Sequence, residues 1–267
     1  MEGYTYADQK LHFLSQIIAK ANRSYVPSKP DDSHTNLYFD TLDSRIVGRW
    51  INNGKDQLLL TLNLKTYELE WLNSHKEPIM TITTLGKTMT ELENEVDSRL
   101  GDLHLKPQGF KEPLHFKIPD YDFANDPITE IDNIHLRVWK SFRQLANRLS
   151  FLVLGDVQIV GDVRLWPHHF DTGTYVEIGD KLGLSFGLAM KDEMVNAPYF
   201  YMSGRAIHGK LKYEQLPELE GGQWILNDNW KGSVLPLTEL TNGSFSENRK
   251  VITDYLSKSV NWFVSHW

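Results

Sequence analysis

The run Leu165-Trp166-Pro167-His168-His169-Phe170-Asp171 holds the densest group of chemically competent side chains in the sequence. Proline has no amide proton to give to a sheet ladder, so Pro167 marks a break between two strands and leaves the histidines at a strand entrance. Beyond that break, alternation puts His169 and Asp171 on one face and His168 and Phe170 on the other. An imidazole and a carboxylate on one face form a general acid/base couple, because the carboxylate tunes the imidazole near neutral pH. The plainer roles are structural: Asp171 orients His169, and adjacent histidines brace a turn. A metal-assisted hydrolase is the alternative. A site of two histidines and a carboxylate would draw on His168, His169 and Asp171 together with a distant His34 or His208. The sequence requires no cofactor, and a divalent metal enters only through that alternative.

A second signal is the strand-like segment Leu182 to Ala189, in which large apolar residues take one face and Gly183, Ser185, Gly187 and Ala189 the other. Something must approach so bare a face closely, either a helix of the same chain or a ligand. In the ligand case this face is a pocket floor, with Tyr199 and Tyr201 as walls and hydroxyl donors. The acidic loop Lys191-Asp192-Glu193 is then either a lid or a solvated hairpin tip. His34, in Asp31-Asp32-Ser33-His34-Thr35, either braces its turn or contributes to binding.

These residues need elements to hold them. Leu11, Leu14, Ile17, Ile18 and Ala21 recur at helical spacing, and Pro27 and Pro30 end that helix. The period then drops to two over Leu58–Leu62 and Tyr67–Trp71, with short turn-like connections, which predicts an antiparallel meander. Thr88 and Glu91 have the form of a capping box for a second helix, and Gly101 supplies a left-handed stop. Asp126 as cap and Pro127 in the first turn predict a long third helix with Ile131, Ile134, Val138, Phe142, Leu145, Leu149 and Leu152 as its buried stripe. Strands are expected near 157–166, 172–178, 182–189, 199–204 and 223–227. A last helix, opened near Ser246 and Glu247, buries Ile252, Tyr255, Leu256, Ser259 and Phe263. Trp50, Trp71, Trp139 and Trp262 fall on periodic apolar faces and are expected in the core, whereas Trp166 stands beside polar groups.

The fold class is therefore α+β, with antiparallel meanders flanked by helices and the helix–meander–helix order appearing twice. We read one unit over 1–267 with subdomains 1–105 and 106–267, the proline-spaced segment 106–126 being the join. At 267 residues the chain can bury a sizeable core. With 28 basic and 35 acidic residues it has a net charge of −7, which disfavours nucleic acid as a partner. Zero cysteines remove disulfides, thiol catalysis and cysteine-based zinc or iron–sulfur sites. The opening MEGYTYADQK is neither basic nor apolar, and no run suits a membrane, so a soluble cytoplasmic protein is the expectation. The acceptor patterns at Asn22 and Asn242 are accordingly idle matches. No Walker motif, dinucleotide fingerprint, nucleophile elbow or His-Glu-x-x-His is present.

Three landmarks, Leu11 to Lys20, Trp166 to Asp171 and Pro198-Tyr199-Phe200-Tyr201, resemble in the same order those of a bacterial family, the domain of unknown function 5996 family. The resemblance spans nearly the whole chain. It implies a bacterial protein of one conserved-length unit, and no assigned activity. Relatives keep the Trp and the Phe-Asp of the central element without both histidines, which moves weight onto Trp166, Asp171, His12 and the tyrosines. The leading expectation is a small-molecule-binding protein or acid/base enzyme. Its pocket is bordered by Trp166, His168, His169, Asp171, Tyr199 and Tyr201, with His12 and His34 as further ligand-binding candidates. The third reading, from another class, is an interaction module or homodimer built on exposed aromatic residues.

Overall fold

The computed structural model describes residues 1–240 and 243–266, so the acceptor pattern at Asn242 lies outside the described residues. The fold is α+β, with antiparallel sheets and four helices among the described residues. The chain divides into two compact units, one of Tyr6–Ser141 and Arg164–Phe170, the other of Met1–Thr5, Phe142–Val163 and Asp171–Trp267. The expected join, 106–126, lies wholly within the first.

In the first unit, α1 (Glu2–Tyr25) buries the predicted face, with Leu11, Leu14, Ile17, Ile18 and Ala21 all buried. Its sheet comprises β1 (Tyr38–Asp40), β2 (Arg45–Val47), β3 (Ile51–Asn52), β4 (Gln57–Asn63), β5 (Glu68–Leu72) and β6 (Pro78–Thr83), in the order β1-β2-β4-β5-β6 with β3 also on β4. Register aligns Ile46, Leu62, Leu69 and Ile82 in one row across four strands. All four are buried, which fixes the pairing because a slip of one residue would turn each to the other face. The segment 106–113 is tied to the end of α1: Arg23 donates to the carbonyls of Gly109, Phe110, Glu112 and Pro113, and the Tyr25 hydroxyl to that of Lys106.

The second helix, α2 (Met89–Arg99), has the predicted capping box between Thr88 and Glu91. Its left-handed stop is His104 (φ 57°) rather than Gly101, because one turn of 3-10 helix over Leu100–Leu103 carries the chain three residues further. The third, α3 (Asn133–Asp156), starts later than expected. Ile128 exchanges backbone hydrogen bonds with Gly86 and Lys87, which holds 127–129 extended, and the Asp132 carboxylate instead receives the amides of Ile134 and His135. The buried stripe is offset from the expected one: Leu136, Trp139, Arg143, Ala146, Ser150 and Val153 are buried together with the expected Leu149, whereas Ile134, Val138 and Leu152 are exposed. The strand expected over 157–166 shrinks to β7 (Arg164–Leu165), since Val157 and Ile159 still donate to carbonyls of the α3 C-terminus. Leu165 bridges to Leu37 beside β1.

The sheet of the second unit is formed by β8 (Thr172–Ile178), β9 (Leu182–Ala189), β10 (Tyr199–Ala206), β11 (Gln223–Leu226) and β12 (Lys231–Pro236), ordered β11-β12-β10-β9-β8. Register places Leu184, Phe186, Leu188, Phe200, Met202 and Leu235 on one face, all buried. Against this face lies α4 (Phe245–Ser265), capped by Ser244 with Glu247, two residues before the expected start. Tyr255 donates to the Ser233 carbonyl, Ser233 and Ser259 share a hydroxyl hydrogen bond of 2.8 Å, and a Cβ at Gly204 would stand 2.5 Å from the Phe263 ring. Trp71, Trp139 and Trp262 are core residues as expected, but Trp50 is 42% exposed, because it lies on irregular chain between β2 and β3 where strand alternation does not operate. No helix among the described residues is long and apolar enough to cross a membrane.

Candidate functional site

The expected site residues fall in both units, and each unit holds its own arrangement. In the first, Trp166 to Phe170 form a turn closed by the Phe170 amide on the Trp166 carbonyl. Phe170 takes φ +53°, a conformation that bulky L-residues rarely adopt. Its fully buried ring offsets the strain, stacking on His12 at 5.2 Å and on Trp139 at 6.2 Å between centroids. The turn is further pinned by the Pro167 carbonyl, which accepts from His12 Nε2 at 2.9 Å and from Gln16 Nε2 at 2.9 Å. A carbonyl can only accept, so Nε2 of His12 carries a proton, and Nδ1 shares a 2.7 Å hydrogen bond with the Tyr121 hydroxyl. Burial first, and then the Asp8 charge, push the Tyr121 phenol well above its ordinary value. Both His12 nitrogens are thus used inside the fold.

The turn displays the two histidines. His169 is exposed, and His168 is half-buried with its ring near Trp166, Phe116 and His169, the last at 4.3 Å. Strand geometry begins only at Thr172, so the alternation expected to put His169 and Asp171 on one face does not run through this turn. His34 is buried in a 3-10 turn, where its Nδ1 accepts the Lys29 amide and braces the chain, and His208 is exposed just after β10. Among the described residues, no three or more His, Cys, Asp or Glu side chains converge as metal donors, so the metal alternative finds no assembled donor set.

In the second unit the expected carboxylate and tyrosines do come together. Tyr201 donates to Asp171 Oδ2 at 2.6 Å, and Tyr199 donates to Asp192 Oδ2 at 2.6 Å. The two rings lie edge to face at 6.4 Å. On this face of the sheet, side chains of the neighbouring strands occupy the bare positions of β9. The Tyr175 ring fills the place of a side chain at Gly183, and Tyr201 does so at Gly187. Small residues there make room for aromatic rings from the strands on either side.

Asp192 ties the loop before β10. Its Oδ1 accepts the amides of Met194 and Val195, which brings Val195 onto Tyr199 and Val234 in a small apolar cluster. Lys191, Asp192 and Glu193 are themselves exposed, so the acidic loop is a solvated tip that Asp192 fastens to the sheet. Burial first, then the hydrogen bond to Asp192, raises the Tyr199 phenol. Burial, then the Asp171 charge, raises that of Tyr201 well above its ordinary value. Both phenols stay protonated and can only donate or accept as neutral groups.

No family model, curated protein or solved structure matches the chain. The functional reading therefore rests on these residues alone. One of them escaped the periodicity argument: Arg143, fully buried on α3, donates to the Thr172 hydroxyl at 2.9 Å and toward the Leu188 carbonyl at 3.3 Å. It anchors β8 at the residue after Asp171. Its signal was present as the helical series Trp139, Arg143, Ala146, Ser150, which a search for apolar residues passes over.

Proposed function

We propose that the chain is a small-molecule-binding protein whose recognition centre is Asp171 with Tyr201, and whose ligand presents an ammonium or another strong hydrogen-bond donor. The observation that carries this reading is the 2.6 Å bond from the Tyr201 hydroxyl to Asp171 Oδ2. It spends one carboxylate oxygen and leaves Asp171, only half-buried, with Oδ1 to offer. A carboxylate held in place by a neutral donor keeps its aim, which favours a cationic or donor ligand. If the ligand is also turned over, Asp171 is the group that takes the proton, since the phenols hold theirs. Cytoplasmic location and membership of the domain of unknown function 5996 family belong to the same proposal.

The test is a ligand-observed NMR screen of small amines and polyols, followed by titration of each hit against Asp171→Asn and Tyr201→Phe. Hits that lose at least tenfold in affinity with Asp171→Asn support the reading. Hits that bind this variant as well as the parent sink it.

A second reading, a homodimerising module, is favoured by one observation: Phe151 and Leu152 on α3 are 61% and 51% exposed. Light scattering decides it. A dimer that Phe151→Asp converts to monomer establishes this reading, and a monomeric parent chain removes it.

A further inference from the structure

The exposed Trp50 borders a cleft in the first unit that includes none of the candidate site residues described above. It encloses about 510 Å³, within the range that small organic ligands occupy. Val47 and Leu59 give it an apolar lining on the strand face that also carries Tyr38, and Trp50 borders it. Arg49 supplies the charge. Its Nη1 donates to the Tyr38 hydroxyl at 2.5 Å, its Nη2 to the Ser33 carbonyl at 2.7 Å, and the guanidinium carbon stands 4.9 Å from the Tyr38 ring centroid.

Three features distinguish this arginine from a structural one. Both its acceptors are neutral, and among the described residues no carboxylate pairs with it. Its Nε is buried with no hydrogen-bond partner, and leaving a buried donor unpaired is unfavourable. The carboxylate nearest to hand in the cleft, Asp40, spends Oδ1 on the amides of Leu42 and Asp43. Lys76 adds a second positive charge at the rim. By contrast, Arg45, two strand positions from Val47, pairs with both Asp43 and Glu70.

The backbone that carries Arg49 and Trp50 is rigid. The Asn22 side chain accepts the Arg49 amide at 2.9 Å and donates to the carbonyls of Thr35 and Asn36. Gly48 is pressed so close to α1 that a Cβ would stand 2.8 Å from both Asn22 and Ile18. A prepared cation beside an exposed indole and an apolar lining selects a flat apolar body with one negative charge. A planar guanidinium matches a carboxylate in two-pronged geometry, and the indole face matches an aromatic ring.

We propose that this cleft binds an aromatic carboxylate, with Arg49 holding the carboxylate and Trp50 the ring.

The experiment titrates the full chain with 2-naphthoate and with the neutral 2-naphthalenemethanol, by calorimetry and by the NMR signal of the Trp50 indole N–H. Saturable 2-naphthoate binding that shifts this signal is expected, with the alcohol at least tenfold weaker. Trp50→Ala and Arg49→Gln should each weaken 2-naphthoate at least tenfold. Trp50 is partly exposed and contributes no core packing, so its variant reports even if Arg49→Gln fails to fold. Absence of saturable binding, equal binding of the alcohol, or full affinity in Trp50→Ala each overturns the proposal. None of these outcomes bears on Asp171.

Discussion

Tyr201 occupies the space that a side chain at Gly187 would need: a Cβ there would stand 2.9 Å from its hydroxyl and 2.8 Å from the Thr172 carbonyl oxygen. The glycine is thus what lets Tyr201 lie across the sheet and reach Asp171. Gly187→Ala should cost about 1–3 kcal/mol, because one neighbour is backbone and cannot yield cheaply. Urea denaturation measures the loss. In the same variant, amine hits from the ligand screen should weaken along with it, and a variant of unchanged stability and affinity would refute the close fit.

Alkaline stability should report the buried phenols. Tyr199, Tyr201 and Tyr255 are all raised, first by burial. In the unfolded chain each ionises near pH 10, while the folded protein keeps the proton. The stability they contribute is therefore complete below about pH 10 and falls as the pH rises further, by up to about 1.4 kcal/mol per pH unit for each group. Urea melts at pH 9, 10 and 10.5 should show Tyr201→Phe with a shallower decline than the parent. Parallel slopes would mean that Tyr201 titrates normally in the fold.

His12 should carry a proton on Nε2, since this nitrogen faces the Pro167 carbonyl. Long-range proton–nitrogen NMR reads this directly, and a bare Nε2 would contradict the arrangement. His12→Phe keeps a ring against Phe170 but leaves the Tyr121 hydroxyl without its partner. About 1–3 kcal/mol should be lost, measured by guanidinium unfolding.

Removing the cap of α2 offers a simpler check. Thr88 accepts the Glu91 amide while Glu91 returns to the Thr88 amide at 2.8 Å. Thr88→Ala should lower stability by about 1 kcal/mol. A melting temperature equal to the parent's would show that the helix start is held by packing instead.

That capping box was legible in the sequence because both partners are three residues apart and bond to each other's backbone. The same holds for the face of α1 and for β8, β9 and β10, where period and side-chain size are local properties. The start of α3 was not legible. Asp126-Pro127 is a sound helix opening in isolation, but Ile128 finds backbone partners at Gly86 and Lys87, 42 and 41 residues earlier, and the helix waits for Asp132. Nor was the buried face of α3, which packing sets so that Arg143 goes inside and Leu152 outside.

The candidate residues divide along the same line. That something must cover Gly183 and Gly187 followed from the absence of side chains on one strand face, whereas its identity as Tyr175 and Tyr201 needed the pairing of β9 with β8 and β10. The Trp166 to Asp171 run stood out by composition alone. Whether His169 and Asp171 share a face depended on where the strand begins, and Phe170 at φ +53° delays that start to Thr172. Its conformation is held by His12 and Trp139, residues 158 and 31 positions away, as read from the numbering. Residue type and period belong to the chain and can be read from it; strand partners, and the strain a buried ring can sustain, belong to contacts between distant segments and exist only once the chain has folded.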